Sequence, residues 1–95
     1  MTTPSIETVA MPGVSRFLGI TVVMFYRDHA PPHFHALYGE YEVTVEIESG
    51  MVSGRFPRRP LAFLLEWWDY SREDLRANRD RARLGIPVVP IAPWE

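Results

Sequence analysis

The sequence predicts a small α+β domain in which an antiparallel sheet of three to four strands is followed by two helices packed on one face. Its 95 residues are enough for one compact domain but not for two independently cored ones. Hydrophobic residues make up 46% and charged residues 23% of the chain, as in folded globular domains. The apolar pattern has the period of strands before Pro57 and that of helices after it.

The first strand is predicted within RFLGITVVMFY (16–26), which is β-branched or aromatic on both alternations, as in a central strand buried on both faces. A loop interrupts it, because two prolines fix φ and lack N–H donors. HFHALY (33–38) predicts the second strand. We assign the loop between these strands a structural role, carried by Asp28, His29, Pro31 and Pro32.

The next two strands are predicted to form a hairpin. Gly39 separates the second strand from EYEVTVEIE (40–48), in which apolar and polar side chains alternate as in a half-buried antiparallel strand. Ser49 and Gly50 predict a tight turn into a short strand near residues 51–55. The outer face of the longer strand is therefore acidic.

Two helices are predicted beyond Pro57. Apolar residues recur at i, i+3, i+4 and i+7, which places Pro60 in the first turn of a helix. Ser71 followed by Asp74 resembles an N-cap box and predicts a second helix that ends near Leu84. The apolar stripe of the first helix consists of Leu61, Leu64, Leu65 and Trp68.

The chain is divided into three parts. Residues 1–14, with two prolines and several hydroxyl side chains, are predicted as a flexible leader. Residues 15–86 form the single α+β domain. Residues 87–95 contain Pro87, Pro90 and Pro93 and are predicted as an extended tail that packs on another surface.

Composition excludes several classes of protein. The absence of cysteine excludes a disulfide scaffold, a thiolate zinc site and a cysteine nucleophile. The net charge of −2 argues against non-specific wrapping of nucleic acid, although a local arginine patch can still bind phosphate. Because no apolar stretch approaches the roughly 20 residues of a membrane span, we expect a cytoplasmic protein without membrane contacts.

All three histidines lie in one cluster, DHAPPHFH (28–35). On a strand, His33 and His35 project to the same face with Cα atoms about 6.6 Å apart, which lets two imidazoles share one phosphate or metal ion. Histidine titrates near neutral pH, so both are candidate catalytic acid/base residues, with Glu40 as their partner. The alternative is that both histidines are structural and hydrogen-bond the neighbouring loop. We predict no cofactor. A metal ion, if one binds, would be held by His33 and His35.

An arginine cluster, RFPRR (55–59), precedes the first helix. Guanidinium groups bind phosphate or carboxylate through paired hydrogen bonds, so Arg58 and Arg59, together with Tyr38, are assigned to substrate binding. The alternative is a solvated patch that neutralises the acidic strand.

Trp67 and Trp68 cannot both lie on the inner stripe of one helix. Trp67 is therefore predicted near the edge, as an anchor of a protein interface. The alternative is that a thin domain buries both against its tail. A chain this short also favours self-association, so we expect a homodimer or a complex with a partner.

The motif D-H-x-P-P-H-F-H-A followed by Y-G-E-Y lies at residues 28–41. On these residues the chain resembles a small bacterial family of domains of unknown function, and the resemblance extends from about Ser15 to Leu84. Members are commonly encoded next to a second small protein and are suspected components of toxin–antitoxin-type pairs. The resemblance implies a bacterial, cytoplasmic protein with a small protein partner encoded nearby, and it assigns no catalytic residues.

We therefore expect the effector or toxin-like component of a two-protein module, which would act on RNA or another phosphate ester if it is an enzyme. His33 or His35 would then transfer the proton, and Glu40 would pair with it. Arg58 or Arg59 would stabilise the phosphate charge. The alternatives are a non-enzymatic, antitoxin-like binding module and a small histidine-based metal-binding protein, and the sequence leaves open which of them applies.

Overall fold

The computed structural model describes residues 13–25 and 30–94. Five antiparallel strands form one sheet in sequence order and precede two helices, so the α+β class is confirmed, with a larger sheet than the three to four strands predicted. The elements are β1 (Gly13–Phe17), β2 (Ile20–Val23), β3 (His33–Tyr38), β4 (Tyr41–Glu46), β5 (Val52–Arg55), α1 (Arg58–Tyr70) and α2 (Arg72–Arg83).

The additional strand arises because residues 16–26 are not one strand. Leu18 and Gly19 form a two-residue turn between β1 and β2, with φ of 50° and 80° respectively. Positive φ at both central residues is what a type I′ hairpin turn requires. Leu18 in this turn is apolar although it is exposed. The apolar pattern therefore shows no break between β1 and β2.

The hydrophobic core lies between one face of the sheet and the helices. The Trp67 ring of α1 packs against Phe17 of β1 and Phe34 of β3, with ring centroids 5.4 Å and 5.6 Å away. Leu75 of α2 is fully buried in the same core, so both helices cover one face, as predicted. The sheet contributes Ile20, Val22, Phe34, Ala36, Val43 and Val45 to this core.

The two tryptophans of α1 correct the predicted helix stripe. Trp67, predicted as an interface anchor, is fully buried and is a core residue. The C-terminal residues return over this side of α1, where the Trp67 indole N–H donates to the Ala92 carbonyl at 2.8 Å. Trp68 is half-buried, and its indole donates to the Ile47 carbonyl at 2.7 Å. Trp67 therefore faces the sheet, and the tail supplies the acceptor for its indole N–H.

The C-terminal tail packs on the domain as an extended segment. Asn78 of α2 is fully buried, and its side-chain amide both donates to the Val89 carbonyl and accepts from the Val89 N–H, at 2.8 Å and 2.9 Å. Further along, the Ile91 N–H donates to the Val14 carbonyl of β1 at 2.9 Å. This contact covers part of an edge strand of the sheet. The predicted leader lies outside the described residues up to position 12, and β1 begins at Gly13.

The turn between β4 and β5 is fastened to both helices. Gly50 has a φ of 77°, and a Cβ there would lie 2.7 Å from the Trp68 ring. Both the backbone conformation and the close approach of the ring therefore require glycine. In the same turn, Glu48 accepts two hydrogen bonds of 2.8 Å from the Arg76 guanidinium and one of 3.3 Å from Arg79. The hydrogen bond from Arg76 is the main cause that holds the pKa of the Glu48 carboxyl below its ordinary value.

The helix boundaries agree with the sequence pattern at most points. Pro60 lies in the first turn of α1, and α2 begins after Ser71 and ends before Leu84. The Ser71 side chain makes no capping hydrogen bond, in contrast to the predicted N-cap box. Within the described part of the chain, neither helix has the length and apolar character needed to cross a membrane.

Candidate functional site

The face of the sheet opposite the helices carries mainly polar side chains on β3 and β4, and the strand register fixes their layout. Residues of β3 that alternate with the buried Phe34 and Ala36 point to this open face. In the same register, each of them has a direct neighbour on β4. The pairs are His33 with Glu46, His35 with Thr44, and Leu37 with Glu42.

His35 is held between a carboxylate and an aromatic ring. Its Nδ1 lies 3.3 Å from Oε2 of Glu42, and since a carboxylate only accepts, the ring nitrogen donates. The Phe25 ring stands edge-on to the imidazole with centroids 4.3 Å apart. The His35 side chain is only 14% exposed, so its orientation is set by these neighbours. The pair is a histidine oriented by a carboxylate, an arrangement common in acid/base sites.

His33 is oriented by the proline loop. Its Nδ1 donates to the Pro31 carbonyl at 2.9 Å. The rings of His33 and His35 are adjacent, with centroids 5.1 Å apart. Each Nδ1 faces an oxygen that only accepts, so Nδ1 is the donor in both hydrogen bonds. Two imidazoles oriented through Nδ1 therefore lie side by side on the open face.

A depression of about 160 Å³ adjoins His33. Its lining combines an imidazole, a carboxylate and two hydroxyls with a proline and a thioether. The polar groups can bind the polar edge of a small ligand, and the apolar groups can pack on its flat face. The lining residues are Pro31, His33, Thr44, Glu46, Met51 and Ser53.

The carboxylate in this depression is held in place by the turn that follows β4. The Ser49 hydroxyl donates to Oε1 of Glu46 at 2.6 Å, and the Met51 N–H donates to the Ser49 oxygen at 3.1 Å. Because Ser49 is itself anchored, the Glu46 carboxylate has a fixed position beside His33.

Two of the predicted site residues do not join the histidines. Glu40 lies in the exposed two-residue turn between β3 and β4, beyond the end of β3 at Tyr38, which is three residues and roughly 10 Å along the strand from His35. Tyr38 points to the core side of the sheet, where its ring lies 5.8 Å from that of Phe56. The structure therefore pairs His35 with Glu42 in place of Glu40 and separates Tyr38 from the open face.

Glu42 was missed by the sequence analysis, although a signal for it exists. A two-residue hairpin turn at Gly39 and Glu40 fixes the register of β3 and β4, and this register places Glu42 diagonally opposite His35. Counting outward from that turn would have identified the acidic partner.

The three arginines of residues 55–59 are exposed, and none of them makes an ion pair with another residue that the structure describes. Arg55 lies directly opposite Glu42 in the sheet register, at the margin of the open face. Arg58 and Arg59 begin α1, which packs on the other face. Of these arginines, Arg55 is therefore the one beside Glu42, the carboxylate that pairs with His35. The patch does not neutralise Glu48, which pairs with α2.

The proline loop is described only in part. Asp28 and His29 lie outside the described residues. The carbonyls of Pro31 and Pro32 accept hydrogen bonds from the His33 ring at 2.9 Å and from the Ile47 N–H at 3.0 Å. In residues 13–25 and 30–94, no three histidine, aspartate or glutamate side chains are grouped so that they could hold a metal ion.

Together these features define a class of small α+β domain: a meander sheet with two helices on one face and a pair of oriented histidines on the other. The chain belongs to the family described as domain of unknown function (DUF4160), whose model matches residues 19–78. The matched segment includes both histidines, Glu42 and Glu46. The sequence matches no curated protein and no solved structure.

Proposed function

We propose that this protein is the effector component of a bacterial, cytoplasmic two-protein module of the toxin–antitoxin type, and that its open face cleaves RNA or a related phosphate ester. The observation that carries the proposal is the adjacency of His33 and His35, with ring centroids 5.1 Å apart and the second ring oriented by Glu42. Two imidazoles in one site can supply a base and an acid near neutral pH.

The proposed reaction needs only these two groups. One imidazole accepts the proton of a ribose 2′-hydroxyl, whose oxygen then attacks the adjacent phosphorus. The bond from phosphorus to the 5′-oxygen of the next nucleotide breaks, and the second imidazole, in its protonated form, donates a proton to that leaving oxygen. The products are a 2′,3′-cyclic phosphate and a 5′-hydroxyl, so atoms and charge balance without water or an external co-reactant.

The distribution of arginines supports an anionic substrate. Arg76 and Arg79 in α2 are ion-paired with Glu48, whereas the three arginines of residues 55–59 are exposed and make no ion pair within the described chain. Arg55 is cross-strand from Glu42 and so lies near the His35 pair. In the proposal, Arg55 contacts the phosphate at the site, and Arg58 and Arg59 contact the RNA backbone beyond it.

The direct test is cleavage of a 5′-labelled single-stranded RNA by the purified full chain in the presence of EDTA. We expect cleavage with 2′,3′-cyclic phosphate ends, and loss of at least about a hundredfold in rate in His33→Ala and in His35→Ala. Glu40→Gln is the matched control, because its carboxylate lies in the exposed turn away from the histidines. Intact RNA with all proteins, at unchanged circular dichroism, would contradict the proposal. Activity that EDTA abolishes and zinc restores would support the metal-binding alternative instead.

A second candidate function, an antitoxin-like binding module, is favoured by a separate observation. Leu84, Ile86 and Val89 follow α2 within six residues and are 73%, 48% and 44% exposed. Exposed apolar side chains so close together in sequence are a feature of protein interfaces. If this is the main function, Leu84→Glu combined with Ile86→Glu should abolish co-purification with the small protein encoded nearby, while the double histidine variant should still bind it.

A further inference from the structure

We infer that the depression beside His33 is a base-recognition site that selects guanine. The inference rests on the proposed function, since it assigns the nucleotide that the same open face would accept. It starts from the one carboxylate in the lining, that of Glu46, beside a cavity of about 160 Å³.

The chemistry of the lining discriminates among bases. A carboxylate only accepts hydrogen bonds, so it favours a ligand edge with adjacent donors. Guanine presents N1–H and N2–H side by side on its Watson–Crick edge, whereas adenine presents an acceptor at N1. The hydroxyls of Thr44 and Ser53 can donate to the guanine O6 or accept from its amine, because a hydroxyl serves in either role. Pro31 and Met51 provide apolar surface for the faces of the ring.

The carboxylate is also preorganised. Ser49 occupies one acceptor position on Oε1 of Glu46 at 2.6 Å. Each carboxylate oxygen can accept two hydrogen bonds, so both oxygens retain the capacity to accept from a base edge. Because Ser49 fixes the group before a ligand binds, less conformational entropy is lost on binding.

The position of the depression connects it to the reaction. His33 is both a lining residue and the immediate neighbour of His35, with a ring-to-ring distance of 5.1 Å. A base seated beside Glu46 would therefore place its own ribose and 3′-phosphate next to the two imidazoles. The RNA should accordingly be cut on the 3′ side of guanosine.

The test is isothermal titration of the full chain with 3′-GMP, 3′-AMP, 3′-CMP and 3′-UMP. We expect 3′-GMP to bind at least about tenfold more tightly than 3′-AMP, and Glu46→Gln to remove this preference. Ser49→Ala should weaken 3′-GMP binding to a smaller extent, which provides a second variant if Glu46→Gln does not fold. Glu40→Gln, in the exposed turn, is the control and should bind as the wild type does.

The outcomes separate this inference from the proposed function. Equal affinity for the four nucleotides, or no binding of any, would overturn the guanine site, whether or not RNA is cleaved. RNA cleavage at every base would overturn it in the same way while leaving the nuclease intact. Selective 3′-GMP binding without RNA cleavage would support the guanine site and contradict the proposed reaction.

Discussion

His35 lies diagonally across β3 and β4 from Glu42, with 3.3 Å between its Nδ1 and the carboxylate Oε2. The relationship follows from the two-residue turn between these strands, which sets their register. A carboxylate in this position orients the imidazole through its Nδ1. The chemistry proposed for the open face therefore depends on the hairpin as much as on the histidines.

Glu42→Gln should reduce the rate of RNA cleavage by at least about tenfold, because an amide can present a donor to Nδ1 and no longer fixes the tautomer of His35. Glu42→Asp keeps the charge on a shorter side chain and should retain part of the activity. Cleavage rates of the two variants, measured beside Glu40→Gln, give the comparison. Equal rates for Glu42→Gln and the wild type would show that the carboxylate does not orient His35.

Trp67→Ala should lower the free energy of unfolding by about 3–5 kcal/mol, because it empties the centre of the core and removes the indole donor from the Ala92 carbonyl. The matched control is Leu84→Ala, which removes an apolar side chain that is 73% exposed and should change stability by less than about 0.5 kcal/mol. Urea denaturation measures both. Similar stabilities of the two variants would contradict the assignment of Trp67 to the core.

Asn78→Ala should loosen the tail, because it leaves the N–H and the carbonyl of Val89 without their side-chain partner. We expect a loss of about 1–3 kcal/mol in unfolding free energy, with faster amide exchange at Val89 and Ile91. Arg83→Ala, at an exposed position in the same helix, serves as the control. Unchanged exchange at both amides would show that Asn78 does not hold the tail.

Stability should depend on the ionisation of Glu48 in the acid range. Arg76 lowers the pKa of this carboxyl in the folded protein, so the native state binds the proton less readily than the unfolded chain does. The resulting stabilisation is present above the unfolded pKa, close to 4.5, and is lost as the pH falls through the lower folded pKa. Since the pair is exposed, the effect should be small and should decrease with added salt.

The measurement is the melting temperature of the wild type and of Glu48→Gln between pH 7 and pH 3, where the neutral amide cannot titrate. We expect the variant to melt lower at pH 7 and the two curves to converge toward pH 3. Glu73→Gln, whose carboxylate contacts Arg76 from an exposed position, is the control and should show a weaker dependence. A constant difference at every pH would rule out the linkage.

The strands with alternating patterns and both helices were predictable from the sequence, because period-2 and period-3.6 patterns directly report burial. The β1–β2 hairpin was not predictable, because its turn contains an apolar residue, Leu18, at positive φ. The apolar run therefore continues through the turn. Placing both histidines on one face required only strand alternation. The identity of their carboxylate required the register, which depends on the turn at Gly39 and Glu40.

The position of Trp67 could not be derived from helix periodicity alone. Its ring packs against Phe17 of β1 and Phe34 of β3, and its indole N–H donates to the Ala92 carbonyl, 25 residues further along the chain. Composition indicates that the proline-rich tail is extended, but it does not specify which side of α1 the tail covers. Long-range packing of this kind decides which of two adjacent aromatic residues becomes the core residue.

The most direct test of the central claim is growth after induced expression of this chain alone, beside the combined His33→Ala and His35→Ala variant, with total RNA extracted from both cultures. We expect the wild type to arrest growth and fragment RNA, and the variant, at equal soluble expression and with an unchanged circular dichroism spectrum, to do neither. Normal growth and intact RNA in both cultures, or equal arrest by a folded double variant, would contradict the assignment of the histidine face as an RNA-cleaving site.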